Sequence, residues 1–206
     1  GHSNDKVTAK IKAQIDRLQH CSTLFITEAL VALAEKLAQI APGKLEKCYF
    51  TNSGTEANEV AVLTARMATG NYEILGLRHG YSGHSQLAKS LTGMHTWRKG
   101  GVIPYGITSA PGPYCYRCPY TLTYPSCDLH CAKDVENVIQ TSTNGQIAGM
   151  LCETIQGLGG VVVPPPGYYK IVANIVRNYG GLFIADEVQT GFGRTGKKWF
   201  GIEHWE

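Results

Sequence analysis

Leu182-Phe183-Ile184-Ala185-Asp186-Glu187-Val188-Gln189-Thr190-Gly191 sets a short apolar run directly against two carboxylates. The apolar part reads as a strand, and a carboxylate just past a buried strand is expensive to desolvate unless it meets a cation or a strong donor. Asp186 is therefore the first candidate functional residue. A protonated pyridine nitrogen would serve as its partner. Gln189, three residues on, could reach a neighbouring ring oxygen, and Val188 between them could pack against the ring face. The structural alternative is a carboxylate that caps the next turn.

Working outward, a helical segment from Tyr168 to Tyr179 precedes this strand, and a second apolar strand, Ile147 to Cys152, ends at Glu153. Ile74-Leu75-Gly76-Leu77 reads as a strand followed by a loop from His79 to Gly83. Lys47-Cys48-Tyr49-Phe50 reads as another, entering a helix opened by Ser53-Gly54-Thr55 with Val60, Leu63 and Met67 on one face. Helical spacing recurs in Val7, Ile11, Ile15 and Leu18, and again in Leu30, Leu33, Leu37 and Ile40 before Pro42-Gly43 stops it. Strands alternating with helices imply an α/β fold, a three-layer α/β/α arrangement around a mostly parallel sheet. Ligands bind beyond the carboxyl ends of such strands. Ser53 to Thr55, His79 to Gly83, Glu153 to Gly157 and Asp186 to Gln189 are thus expected along one rim.

Composition narrows the function classes. The chain has 206 residues, 43% hydrophobic and 17% charged, enough to bury a core in a single domain. A net charge of +3 without basic runs leaves no electrostatic footprint for nucleic acid or an anionic membrane. No apolar stretch approaches the roughly 18 residues of a spanning helix. The 24 glycines suit tight turns and backbone brought close to a small ligand. From Gly100 to Cys131 the pattern lapses into prolines, tyrosines and cysteines, which reads as a long ordered loop inserted in the domain.

Three motifs carry candidate chemistry. Ser53-Gly54-Thr55-Glu56-Ala57-Asn58 lies where a strand turns into a helix, so free N–H groups and the positive dipole end could hold a phosphate; the alternative is an ordinary N-cap. Gly191-Phe192-Gly193-Arg194-Thr195-Gly196-Lys197-Lys198 matches a dinucleotide fingerprint and nearly matches a phosphate-binding loop. Both matches are read as false. Lys198 stands where Ser or Thr should follow the lysine, Glu187 to Thr190 separate the glycines from the strand, and Lys198-Trp199-Phe200-Gly201 opens a helix poorly. A dinucleotide-binding oxidoreductase module remains the rival from another class. Cys115, Cys118, Cys127 and Cys131 have paired spacing that fits a four-thiolate zinc site, two disulfides or plain buried thiols.

In order along the chain, these segments resemble the class III aminotransferases, pyridoxal-phosphate enzymes of fold type I. Gly1-His2 with Val7 resembles the family's Gly-His-x-x-Pro-x-Val opening, with Asp5 for proline. Thr51 to Asn58 resembles its phosphate-binding turn. Tyr81-Ser82-Gly83 resembles a Tyr-His-Gly segment whose ring stacks on the pyridine, with Ser82 for histidine. Glu153-Thr154-Ile155-Gln156-Gly157 resembles Glu-Pro-Ile-Gln-Gly, with Thr154 for proline, and Asp186 to Gly196 matches most closely.

The resemblance implies an aspartate-aminotransferase-like large domain, incomplete within residues 1–206, with pyridoxal 5'-phosphate as cofactor. Cofactor contacts would come from Ser53, Gly54, Thr55, Tyr81, Ser82, Glu153, Val188 and Gln189, with Asp186 on the ring nitrogen. The family's Schiff-base lysine lies further beyond the aspartate than this chain extends, so residues 1–206 alone are expected to be inactive. An amino acid or amine donor, a 2-oxo acid acceptor and a homodimer are implied, with an amino-alcohol phospho-lyase as the alternative within the family. Leu158 replaces a gate glutamate common in members acting on ω-amino groups. The expected compartment is the cytoplasm, or the mitochondrion in a eukaryote.

Overall fold

The computed structural model describes residues 2–205, so Gly1 of the opening motif lies outside the described residues. Two compact units are present, Gly1–Cys48 and Tyr49–Glu206. In the first, α1 (Asp5–Arg17) is capped by Asn4, whose side chain accepts from the Lys6 and Val7 amides at 3.1 and 3.3 Å. Thr27 caps α2 (Glu28–Ile40) through the Leu30 amide. Ala41 turns extended at the end of α2 because the residue before a proline avoids the helical region. Both helices match the periodicity of the sequence, although Val7, Ile11 and Ile15 stay exposed.

The second unit is built on a parallel sheet of order β2-β1-β3-β4. Its strands are β1 (Glu73–Leu77), β2 (Ile107–Ala110), β3 (Ile147–Glu153) and β4 (Leu182–Asp186). Helices α3 (Gly54–Thr69) and α4 (Gln86–Leu91) pack on one face, where Val62, Ala65 and Leu91 meet Ile74, Ile107, Ala148 and Leu151. Helices α5 (His130–Ser142) and α6 (Tyr168–Asn178) cover the other, with Val135, Ile139, Val172 and Val176 against Leu75, Leu77, Met150 and Cys152. This is the three-layer arrangement expected. Each fully buried aliphatic side chain in these layers contributes about 1.5–3 kcal/mol.

A bulge sets the phase of the central strand. Glu73 pairs with Ile147 but Ile74 pairs with Gly149, so Ala148 is the extra residue. Ile147 consequently shares a face with Met150 and Cys152, while Ala148 shares the other with Leu151. The order of connections also matters. The chain leaves β1 toward β2 on one side and β3 toward β4 on the other, which makes the gap between the β1 and β3 ends a topological switch point.

Two expectations need correction. Residues 47–50 form no strand: they have no ladder partner among the described residues, and Tyr49 is well exposed. A short apolar run there suggests a strand, but a strand exists only where a neighbour completes its hydrogen bonds. The stretch from Gly100 to Cys131 is not loop throughout. It contains β2, a 3₁₀ turn at Cys115–Arg117 and the first turn of α5.

Candidate functional site

The carboxyl ends of the strands bring the predicted segments together. Ser53 caps α3, its hydroxyl accepting from the Glu56 amide at 3.2 Å, while Glu56 reaches back to the Asn52 amide at 2.6 Å. This cap orients the first turn and leaves the early helix N–H groups without intrahelical acceptors. A Cβ built on Gly54 would lie 2.8 Å from Val188 Cγ2. The helix start and the segment after β4 are therefore in contact, as a single ligand gripped at both places requires.

Asn58, one turn further along α3, completes the connection. Its side-chain amide donates to Asp186 Oδ2 at 2.9 Å and to the Ser82 carbonyl at 2.9 Å. Asp186 Oδ1 accepts from the Val188 amide at 3.0 Å. Burial pushes the Asp186 carboxyl above the ordinary carboxylate range, the Asn58 and Val188 donors pull it back, and Glu187 adds a further upward push. Among the described residues the salt bridges are Arg17–Glu28 and Lys133–Asp128, both on exposed side chains. Asp186 is thus a buried carboxylate held by neutral donors, with no ion-pair partner among them. The Val188 contact is the local turn-capping hydrogen bond of the structural alternative.

The other rim segments interlock around it. Thr55 Oγ1 accepts from the His84 amide at 3.2 Å, and Gly83, at φ +132°, sits where a Cβ would fall 2.3 Å from that oxygen. The Ser82 amide donates to Thr92 Oγ1 at 3.1 Å. The Tyr81 ring stands edge-on to His84 and Trp97, each with centroids 5.9 Å away. Glu153 faces Asp186 in the β3–β4 register. Its two oxygens accept from the Tyr81 amide at 2.7 Å and the Gly157 amide at 2.8 Å. Burial raises the Glu153 carboxyl, those two N–H bonds lower it, and the Asp186 charge raises it again. Gln189 is exposed, and its Cγ would lie 3.3 Å from a Cβ on Gly157.

Two residues with no assigned role prove central. Asn58 was visible as part of the motif, but only the fold shows that it bridges two loops. Glu187 accepts from the Gly201 and Ile202 amides at 2.8 Å each and from the Thr190 hydroxyl, so it pins the turn at Gly201–His204. That 3₁₀ turn follows the Gly191 to Gly196 segment where a dinucleotide fingerprint demands a full helix. The cysteines at 115, 118, 127 and 131 are free thiols lining a cavity of about 20 Å³ with Tyr114, Tyr120 and His130. Burial, then the neighbouring Cys115, pushes the Cys131 thiol up to about 11. Among the described residues no group of three or more His, Cys, Asp or Glu side chains is arranged to hold a metal ion. Nor is any described helix long and apolar enough to cross a membrane.

Comparison with known proteins identifies the family. The Aminotransferase class-III family model matches residues 1–206. The chain is 42% identical over 199 residues to alanine–glyoxylate aminotransferase 2 homolog 2, mitochondrial, of Arabidopsis thaliana, covering 97% of this chain and 41% of that protein. Its fold superposes on an (S)-enantioselective omega-transaminase from Thermomicrobium roseum with a TM-score of 0.92 at 35% identity, over 100% of this chain and 48% of the other. An amine transaminase from an uncultivated Pseudomonas species, in a pyridoxal-phosphate-bound form, gives a TM-score of 0.92 at 33% identity with the same coverage. The chain spans less than half the length of these relatives. With a family match over its whole length and fold-type-I transaminases as structural neighbours, the chain belongs to the class III aminotransferase family.

Proposed function

We propose that residues 1–206 are part of a pyridoxal-phosphate-dependent transaminase that moves an amino group from an amino acid or amine donor to a 2-oxo acid. The observation that carries this reading is the Asn58–Asp186 bond, which ties a buried carboxylate to the first turns of the helix whose start touches Val188. A molecule with a phosphate at one end and a protonated ring nitrogen at the other fits both needs. The carboxylate lacks an ion-pair partner among the described residues, and Gly54 and Gly83 lie where any Cβ would meet Val188 or Thr55.

Asp186 would hold the proton on the ring nitrogen. When bound, the cofactor supplies an electron sink for the carbanion formed on the donor. Asp186 is already desolvated and fixed by two donors, so little reorganisation is needed as charge develops. The early N–H groups of α3, with Ser53, Gly54 and Thr55, would bind the phosphate. Tyr81 and Val188 would bound the ring, Ser82 would fix the loop beside it, and Gln189 would donate to the ring oxygen. Leu158 leaves the loop after Glu153 apolar, which favours donors without a second charged end. The working assembly is a homodimer, checked by solution mass. The compartment is taken as the cytoplasm, with fractionation to decide against the mitochondrion named for the Arabidopsis relative.

Titrating the full chain with pyridoxal phosphate tests the reading. Saturable binding and a raised thermal midpoint are expected. Asp186→Asn removes a charge-assisted contact and should weaken binding by about tenfold or more. Absence of binding, or a midpoint shift with NAD that Asp186→Asn leaves intact, would overturn it. Release of inorganic phosphate from an amino-alcohol phosphate without amino transfer would instead identify a phospho-lyase.

A further inference from the structure

Glu153 lies at the switch point, beside Asp186 in the register, yet both of its oxygens are committed to backbone N–H groups on different loops. One loop follows β1 and carries Tyr81; the other follows β3 and carries Gly157. The fit on both sides is close: Cβ atoms built on Gly80 and Gly157 would lie 3.7 and 3.6 Å from its two oxygens. Its strand carbonyl also accepts from the buried Tyr169 hydroxyl, which anchors the strand end to α6.

In place of the direct cofactor contact that the resemblance implies for Glu153, we propose that it is a positioning residue, which does not itself touch the cofactor but fixes the two loops whose side chains do. This rests on the transaminase reading above. Through the Tyr81 amide it sets where the Tyr81 ring stands, and through the Gly157 amide it sets the surface against which Gln189 packs. The chemistry explains why a carboxylate is used. Two converging N–H donors need two acceptors; an amide offers one acceptor and one donor, and a shorter Asp side chain places its oxygens one methylene further back. A negative charge here also stays compatible with Asp186, because each carboxylate is held by its own pair of donors.

The test measures pyridoxal phosphate affinity of the full chain by equilibrium titration, together with amide exchange of the cofactor-free protein. Glu153→Ala should weaken cofactor binding by about tenfold or more, since it removes two hydrogen bonds to a charged group. It should also speed exchange at the Tyr81 and Gly157 amides. In a Tyr81→Ala/Gln189→Ala background the same change should alter affinity by less than about threefold, because the side chains it positions are gone. A full effect in both backgrounds would show direct contact and overturn the proposal, as would an unchanged affinity in the otherwise native chain. Glu153→Gln, which preserves one acceptor, provides the same comparison if the alanine variant folds poorly, with a smaller effect of the same pattern. A native chain that binds no pyridoxal phosphate would defeat the transaminase reading itself, whereas native binding indifferent to Glu153 defeats only this inference.

Discussion

Replacing Asn58 with alanine removes two buried hydrogen bonds, and its cost should depend on pH. The bond to the Ser82 carbonyl joins neutral groups and contributes about 0.5–1.5 kcal/mol, while the bond to ionised Asp186 contributes about 1.5–3 kcal/mol. The variant should therefore lose about 2–4.5 kcal/mol of unfolding free energy when Asp186 is ionised. Because burial raises the folded Asp186 carboxyl, the native state binds the proton more tightly than the unfolded chain does. The Asp186 contribution to stability therefore declines as pH rises from the ordinary carboxylate range through the raised folded value. Loss of the Asn58 donor lifts the folded value further, so the penalty grows across that window and is smallest where Asp186 is protonated in both states. Urea unfolding of the cofactor-free full chain at about pH 8 and at about pH 3, below the ordinary carboxylate range, measures the difference. A penalty below about 1 kcal/mol at the higher pH, or one identical at both, would refute the assigned network.

Gly83 and Gly70 both have positive φ, but only Gly83 is crowded, since a Cβ there meets Thr55 while nothing lies within 4 Å at Gly70. Gly83→Ala should cost about 2–4 kcal/mol and Gly70→Ala about 1 kcal/mol, measured by denaturant midpoints; equal costs would remove the claimed contact between loop and helix start. Glu187→Gln should orphan a backbone N–H of the Gly201–His204 turn at a cost of about 1–3 kcal/mol. Faster amide exchange at Gly201 and Ile202 is the expected signature, and unchanged protection there would contradict the role given to Glu187.

The elements legible in the sequence are those whose signal is local. The spacing of Val60, Leu63 and Met67 announces α3, although Leu63 and Met67 stay exposed and Asn58, Val62 and Ala65 form its buried face; Ile147 to Cys152 announce β3, and Pro42-Gly43 ends α2 near its observed stop. The strand Ile107–Ala110 was hidden because two of its four residues are hydroxylic and prolines follow it closely. Only pairing with β1 makes it a strand. Helix α5 carried a readable pattern in Ala132, Val135, Val138 and Ile139, but the cysteines and prolines before it drew the loop reading up to its first turn.

By itself the sequence determined which residues are chemically unusual: a carboxylate closing an apolar strand, a hydroxyl-rich helix start, and glycines where backbone must approach closely. It also determined the layered architecture, because periodicity and strand–helix alternation are properties of neighbours along the chain. Only the tertiary structure decided that Asn58 holds Asp186, that Glu153 divides its oxygens between the Tyr81 and Gly157 loops, and that Gly83 abuts Thr55. Each of these joins residues from segments far apart in the sequence. Their partners are set by the order and register of a parallel sheet, which no local pattern specifies.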